Sequence, residues 1–291
     1  MYPPNFEYYA PTTLAEAIGL LDQHQGEAKV LAGGQSLIGM MKLRLAQPTA
    51  LVDINRIPDL AYIREDNQCL CIGALTRTAE LSRSDVIRSR YPIFADAGTE
   101  IADPIVRNWG TVGGNVSHGD PGNDLPACML AVDAQFVAQG PKGRRTISAR
   151  KFYQDSFVTA LQPNEVLVEV QVPRAVAGTG NAYSKMERKV GDFATAAVGV
   201  QLLVGRSGTI EKAGIGLTNV GPTALYAAAA SDYLNGKTGS AADLQKAGDL
   251  AADAASPIVD NRGPVDFKKD MVRVWTRRTV ARSLARAKGG K

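Results

Sequence analysis

Leu31-Ala32-Gly33-Gly34-Gln35-Ser36 joins an apolar, strand-like run (Lys29-Val30-Leu31) to a helix-like run from Leu37 to Leu45. Two adjacent glycines can take positive φ without a Cβ penalty, which lets successive backbone N–H groups converge on one point. Ser36 then stands where a helix N-cap belongs, at a terminus that favours negative charge. The stretch reads either as a cradle for an anion, a phosphate above all, or as a plain strand-to-helix turn, and a second site is needed to separate the two. Upstream, Thr13-Leu14-Ala15-Glu16 has the spacing of a capping box, with Leu14, Ala17, Ile18 and Leu21 at helical intervals before Gly26. Downstream of Pro48, Ala50-Leu51-Val52-Asp53-Ile54 returns as a strand, so the opening segment is a small α/β unit.

A chain of 291 residues is long enough for a sizeable core and for two domains. Hydrophobic content of 45% with 21% charged residues excludes a disordered or fibrous protein. No stretch approaches the roughly 20 apolar residues of a membrane span, and the N-terminus lacks a basic region followed by an apolar core, so a cytoplasmic location is expected. The net charge of +4 is local: Lys268 to Lys291 holds nine Lys and Arg residues against Asp270 alone, and the body is mildly acidic. That confinement argues against a nucleic-acid binder, which would spread a basic stripe over its folded face, and suggests a solvated or partner-facing helix. Cys69, Cys71 and Cys128 are too few for a disulfide framework or a four-thiolate cluster. Cys69 and Cys71 alternate on a strand-like run and read as small core residues, and with only His24 and His118 a histidine-rich metal site is excluded.

Further along, two strand-like runs between Leu60 and Ile72 flank Glu65-Asp66-Asn67 as a hairpin, followed by helix-like stretches at 79–88 and 93–101. A second glycine pair follows in Thr111-Val112-Gly113-Gly114-Asn115, within a long run of small and polar residues from Ala102 to Asp124 that reads as a functional loop. Leu125–Val132 resumes as a helix and Ala134–Ala138 as a strand, and Glu165 to Val172 is the clearest strand in the chain. The small, uncharged segment 175–180 marks a domain boundary. Beyond it, strand-like runs (182–188, 194–204, 212–218) precede helix-like runs (223–234, 241–254, 267–287), which implies an antiparallel sheet with helices on one face.

Two glycine-pair turns ending in short polar side chains, Ser36 and Asn115, could hold the two halves of a pyrophosphate, which makes the ligand a dinucleotide-type cofactor. Gly214-Ile215-Gly216 lacks the third glycine of a Rossmann fingerprint and no Walker A sequence is present, so the binding domain is of another type and a nucleotide triphosphatase is disfavoured.

At these residues the chain resembles a family. Ala32 to Ser36, Leu51-Val52-Asp53-Ile54, Thr111 to Asn115, Gly119 to Asp124 and Tyr183 to Ala194 look like the FAD-binding medium subunit of molybdenum hydroxylases, the group that includes aerobic carbon monoxide dehydrogenases and xanthine dehydrogenases. The resemblance implies an α+β chain: a two-part FAD-binding domain of the vanillyl-alcohol-oxidase type over 1–176, with subdomains about 1–57 and 58–176, then a C-terminal domain of antiparallel sheet plus helices over 177–291. It implies that Ala32, Gly33, Gly34, Gln35, Ser36, Thr111, Gly113, Gly114 and Asn115 hold the pyrophosphate through backbone amides, and that Asp124 bonds the ribityl or adenosine side. Ile101 and Leu167 would pack near the flavin, Lys185 would approach the pyrimidine edge, and Phe193 and His118 would border the ring. Phe193 has no hydroxyl, which puts in doubt any gating that depends on one. Each residue also has a plainer reading: Asp124 as the cap of the following helix, Lys185 as a solvated strand residue, Ile101 and Leu167 as core, His118 as a surface histidine.

By that resemblance the chain does no substrate chemistry. It passes electrons from the 2Fe–2S clusters of a small subunit to an external acceptor, while a large subunit with a molybdenum cofactor oxidises the substrate, all within a dimer of heterotrimers. Carbon monoxide dehydrogenase is the branch whose length and loops look closest. The alternatives are a nicotine or other N-heterocycle hydroxylase subunit, and a non-catalytic FAD- or nucleotide-binding scaffold.

Overall fold

The structure, a computed structural model, describes residues 2–290. Three sheets succeed one another along the chain. The first is three-stranded and wholly parallel, in the order β1 (Glu7–Tyr9), β3 (Ala50–Asp53), β2 (Ala28–Leu31). Parallel strands require crossovers, and these are α1 (Leu14–Gln23) and α2 (Leu37–Lys42). Thr13 and Glu16 form the expected capping box at α1. Ala17, Ile18 and Leu21 of α1 bury against Ala28, Ala50 and Val52. The helix α2 ends at Lys42 rather than Leu45, because Leu43 and Leu45 carry no apolar contact inward and are exposed.

The second sheet is five-stranded, in the order β4 (Ile63–Glu65), β5 (Cys69–Gly73), β10 (Val166–Pro173), β6 (Gln135–Gly140), β7 (Gly143–Ser148), and its neighbours pair antiparallel. Between β5 and β6 run six helices: α3 (Thr78–Arg83), α4 (Asp85–Arg90), α5 (Pro92–Glu100), α6 (Pro104–Trp109), α7 (Val112–Ser117) and α8 (Asp124–Ala131). The helix expected over 79–88 is thus two, divided at Ser84, whose hydroxyl caps α4 by accepting the Ile87 N–H. The expected loop from Ala102 to Asp124 is also largely helical. Asp103 caps α6 ahead of Pro104, and Thr111 caps α7, so the second glycine pair lies inside a helix rather than in a turn. After β7 comes a two-stranded ribbon of β8 (Tyr153–Asp155) and β9 (Val158–Thr159).

The segment 175–180 is held rather than loose. Ala175 donates its N–H to Tyr91 Oη at 3.0 Å, and Arg90 donates to the Ala175 carbonyl at 2.8 Å. The third sheet follows as an antiparallel meander of β11 (Thr179–Met186), β12 (Ala196–Val204), β13 (Ile210–Thr218) and the short β14 (Leu225–Tyr226), which the sequence reading assigned to a helix. Then come α9 (Ala228–Leu234), α10 (Ala241–Ala254) and α11 (Val265–Ala287), the last packed on β11 and β12.

Both faces of this sheet are covered. The second face takes α8, which is buried from Asp124 to Ala131. A Cβ added to Gly214 would stand 2.1 Å from the Ala131 carbonyl oxygen, and one on Gly216 would stand 2.1 Å from that of Ala127. Glycines on β13 therefore form a groove that admits the helix backbone. Tyr183, Ala194 and Ala197 consequently belong to the same apolar cluster as α8 and β10.

The basic C-terminal run, expected from its charge to be a solvated or partner-facing helix, has one face buried in the third unit and the other exposed. On α11, Lys268, Val272, Thr276, Thr279, Val280, Ser283 and Leu284 are buried. Lys268 pairs with Asp260 at 2.8 Å, and Arg282 and Arg286 both reach Asp96 on α5 at 2.7 Å.

Candidate functional site

A cleft of about 720 Å³ opens where the three units meet. That volume falls within the roughly 300–1,000 Å³ typical of small-molecule and cofactor sites. Its wall is built from the turn after β2, the start of α7, the segment after β9, and Lys185 with residues 191–193 from the third unit. Every candidate residue named from the sequence lines it: Ala32 to Ser36, Ile101, Thr111, Gly113, Gly114, Asn115, His118, Asp124, Leu167, Lys185 and Phe193.

Among the described residues, the backbone N–H groups of Gly33, Gly34, Gln35 and Ser36 donate to no other group. Four unshared donors in succession are what an anion cradle requires, since unpaired amides seek an acceptor. Only Gly34 takes positive φ, at +70°, and it is this residue that turns the chain. Gly33 is needed for a different reason: a Cβ there would lie 2.4 Å from the Trp109 carbonyl oxygen and 2.8 Å from the Gly110 Cα. Ser36 does not cap α2. Its own backbone is already helical and its hydroxyl makes no capping bond. The turn is fixed instead from outside, by Asn55 Nδ2 donating to the Ala32 carbonyl at 2.8 Å and by Arg77, which bonds Asn55 Oδ1 at 3.0 Å and the Trp109 carbonyl at 2.8 Å.

The second glycine segment is arranged otherwise. Gly113 N–H donates to the Ala74 carbonyl at 2.8 Å, Gly114 N–H to Thr111 Oγ1 at 3.1 Å and Asn115 N–H to the Thr111 carbonyl at 3.0 Å. These amides are already shared within the chain, so the two segments are not equivalent cradles. What α7 presents is a surface without side chains at Gly114 and the Asn115 amide group, whose buried Oδ1 has no partner among the described residues. Gly113 is required by packing, because a Cβ there would lie 2.6 Å from Ala74 Cβ.

At the far wall Asp124 sits in a buried polar knot. Tyr183 Oη donates to its Oδ1 at 2.5 Å and Lys185 Nζ lies 3.3 Å from the same oxygen. Lys185, only 1% exposed, also donates to the Glu100 carbonyl at 2.9 Å and pairs with Glu187 at 3.4 Å. Lys185 is therefore no solvated strand residue. Asp124 does not cap α8 either, since the N-cap is Asn123. Burial pushes the Asp124 carboxyl up to about 6, against the pull of Lys185 and Tyr183. An acid raised in the folded state adds stability that is complete at low pH and disappears as pH rises through the folded pKa. Across about pH 4 to 6, the melting temperature of wild type minus that of Asp124→Asn should accordingly fall, then level off. A flat or rising difference over that interval would remove the raised carboxyl from the account.

Ile101 and Leu167 belong to the large apolar cluster and also face the cleft. His118 stacks edge-on against Phe157 with ring centroids 5.2 Å apart, and burial lowers its pKa, which favours the neutral ring. Phe193, about half exposed, lies at the rim beneath Arg262, and the Arg188 and Arg262 guanidinium groups hold Asp192 down to about 2. Sequence reasoning missed the wall formed by Phe157 to Pro163 and the contribution of Thr78 and Gly110. The pairing of Phe157 N–H with the Gly119 carbonyl was signalled only by the glycine itself, at φ +68°.

The model of the FAD binding domain in molybdopterin dehydrogenase matches residues 4–175, and that of the CO dehydrogenase flavoprotein C-terminal domain matches 181–283. The chain is 47% identical to the carbon monoxide dehydrogenase medium chain of Hydrogenophaga pseudoflava, covering 98% of this chain and 99% of that one. It is 36% identical to the 6-hydroxypseudooxynicotine dehydrogenase complex subunit alpha of Paenarthrobacter nicotinovorans, covering 99% and 97%. The solved carbon monoxide dehydrogenase from Hydrogenophaga pseudoflava that lacks the Mo-pyranopterin moiety superposes with a TM-score of 0.95 at 48% identity, over 98% of this chain and 99% of that one.

Proposed function

This chain belongs to the FAD-binding flavoprotein family of molybdopterin dehydrogenases, and from that premise we propose that it is the electron-transferring FAD subunit of a carbon monoxide dehydrogenase-type molybdenum hydroxylase. The observation that carries the reading is the cleft itself, with four unshared amides at one end and a buried ionic knot at the other. Bound there, FAD would accept electrons from the 2Fe–2S clusters of a small subunit and release them to an external acceptor. A large subunit with the molybdenum cofactor would oxidise the substrate, within a dimer of heterotrimers in the cytoplasm.

The residues fit the cofactor. Gly33 to Ser36 would offer four N–H groups to the pyrophosphate, and Asn115 Oδ1, without a partner among the described residues, would accept from a hydroxyl of the cofactor. Ile101 and Leu167 would offer apolar surface to the fused ring, and His118 and Phe193 would border it. Lys185 opposes the effect of burial on Asp124, which favours the ionised carboxylate at neutral pH, and its own charge would stabilise negative charge at the pyrimidine edge of the ring. The FAD-binding domain ends near residue 176 on this reading, with its own division near residue 57.

Purified alone, the chain should be yellow and its flavin indifferent to carbon monoxide. Mixed anaerobically with the molybdenum and iron–sulfur subunits, it should lose its flavin absorbance on addition of carbon monoxide. Bleaching by an N-heterocycle in place of carbon monoxide would assign the chain to the nicotine-type branch, and a colourless chain that takes up no FAD would overturn the reading.

A further inference from the structure

Away from the cleft, the β4–β5 hairpin gathers three donor side chains. Cys69 and Cys71 alternate on β5, so they share a face of the sheet opposite Leu70 and Ile72, which enter the core. Their Sγ atoms lie 3.0 Å apart. Asp66, in the turn, accepts the N–H groups of Gln68 at 2.7 Å and Cys69 at 2.8 Å on Oδ1, and Oδ2 lies 4.0 Å from Cys69 Sγ. Two backbone donors thus fix the carboxylate with its second oxygen toward the thiols, the outer support that metal-ligating carboxylates commonly have. One donor atom from each of the three residues lies within 4.8 Å of the others.

The geometry points to a site for one thiophilic divalent cation of the zinc class, held by Cys69 Sγ, Cys71 Sγ and Asp66 Oδ2 with water in the fourth position. A single strand spaces alternate Cα atoms by roughly 6.6–6.8 Å, the outer limit for a disulfide, whereas a tetrahedral ion with metal–sulfur bonds of about 2.3 Å holds sulfurs about 3.8 Å apart, a separation the two thiols reach from 3.0 Å by opening their χ1 angles. Two thiolates, a carboxylate and a divalent ion sum to one negative charge. Arg64, cross-strand from Cys71 and on the same face, places a positive charge beside it. It also pairs at 3.2 Å with Glu169, which Tyr62 and Gln171 satisfy from the other side. The half-buried Cys69 and exposed Asp66 leave an entry path. None of the three lines the flavin cleft, so the site stands or falls independently of the proposed function.

The test uses the full chain, reduced and stripped of metal with a chelator, then titrated with Zn²⁺ or Cd²⁺. One equivalent should bind with release of protons, and Cd²⁺ should give a thiolate charge-transfer band in the ultraviolet. Cys69→Ser and Cys71→Ser should each abolish the band, and Asp66→Asn should weaken binding by roughly tenfold or more, with flavin content unchanged in all three. Absence of stoichiometric uptake by the wild type, or a band that survives either serine substitution, would overturn the proposal. Cys128, fully buried in α8, is the internal control whose replacement should leave metal uptake intact.

Discussion

Gly33→Val is expected to yield a chain that folds but no longer retains FAD. The added side chain would begin 2.4 Å from the Trp109 carbonyl oxygen, a backbone atom that α6 and Arg77 hold in place. The turn must therefore move away from the second unit, and the amides of Gly33 to Ser36 lose their common aim. Overpacking of this kind costs about 2–3 kcal/mol, which corresponds to roughly 30- to 150-fold weaker retention of the cofactor. The ratio of flavin absorbance to protein absorbance after gel filtration measures it. Gly39→Ala is the companion variant: an added Cβ on that residue of α2 meets nothing within 4 Å, and it should keep its flavin. Stoichiometric flavin in Gly33→Val would count against the cradle.

A second large effect is expected far from the cleft. Asp96→Ala should lower the melting temperature by about 5 °C, on the basis of about 3 kcal/mol for breaking a substantially buried ion pair and the usual scaling for a chain of this size. Asp96 Oδ1 accepts from Arg282 at 2.7 Å and Arg286 at 3.0 Å, and Oδ2 accepts from Arg286 at 2.7 Å and the Tyr183 N–H at 3.1 Å. Its removal leaves Arg286, 16% exposed, with the Asn181 carbonyl as its remaining partner. Asp96→Asn should fall between, since it keeps the shape and loses the charge. A change within about 1 °C would show that water replaces the carboxylate and that the two arginines add little.

The features legible in sequence were those encoded over a few residues. The capping box at Thr13, the strand at Val166 and the order of strands then helices in the second half are local patterns, and the structure carries them as read. The failures share one cause, a partner distant in sequence. Ser36 reads as a cap by position, but its backbone is already helical, because the turn is fixed by Asn55 and Arg77 rather than by its own hydroxyl. The basic run after Lys268 reads as a solvated helix when its charges are counted alone, and the acid that neutralises Arg286 lies 190 residues away. The glycines of Thr111 to Asn115 were read for their freedom, whereas Gly113 is there because Ala74 leaves no room for a side chain. Asp103-Pro104 and Thr111 are nonetheless ordinary local signals of helix starts. The family pattern names residues that line the cleft, because it names positions without regard to what positions them.

The groove on β13 bears on how this protein can be recombined. Ala127 and Ala131 of α8 rest their carbonyls directly on Gly216 and Gly214, so the helix lies in one matched region of the chain and its seat in the other. A chimera joined between residues 175 and 181, with each half from a different relative, would set a foreign helix on a surface that tolerates no Cβ. The inheritable module is the sheet together with the helix it seats, and a productive exchange would have to carry α8 with the C-terminal half.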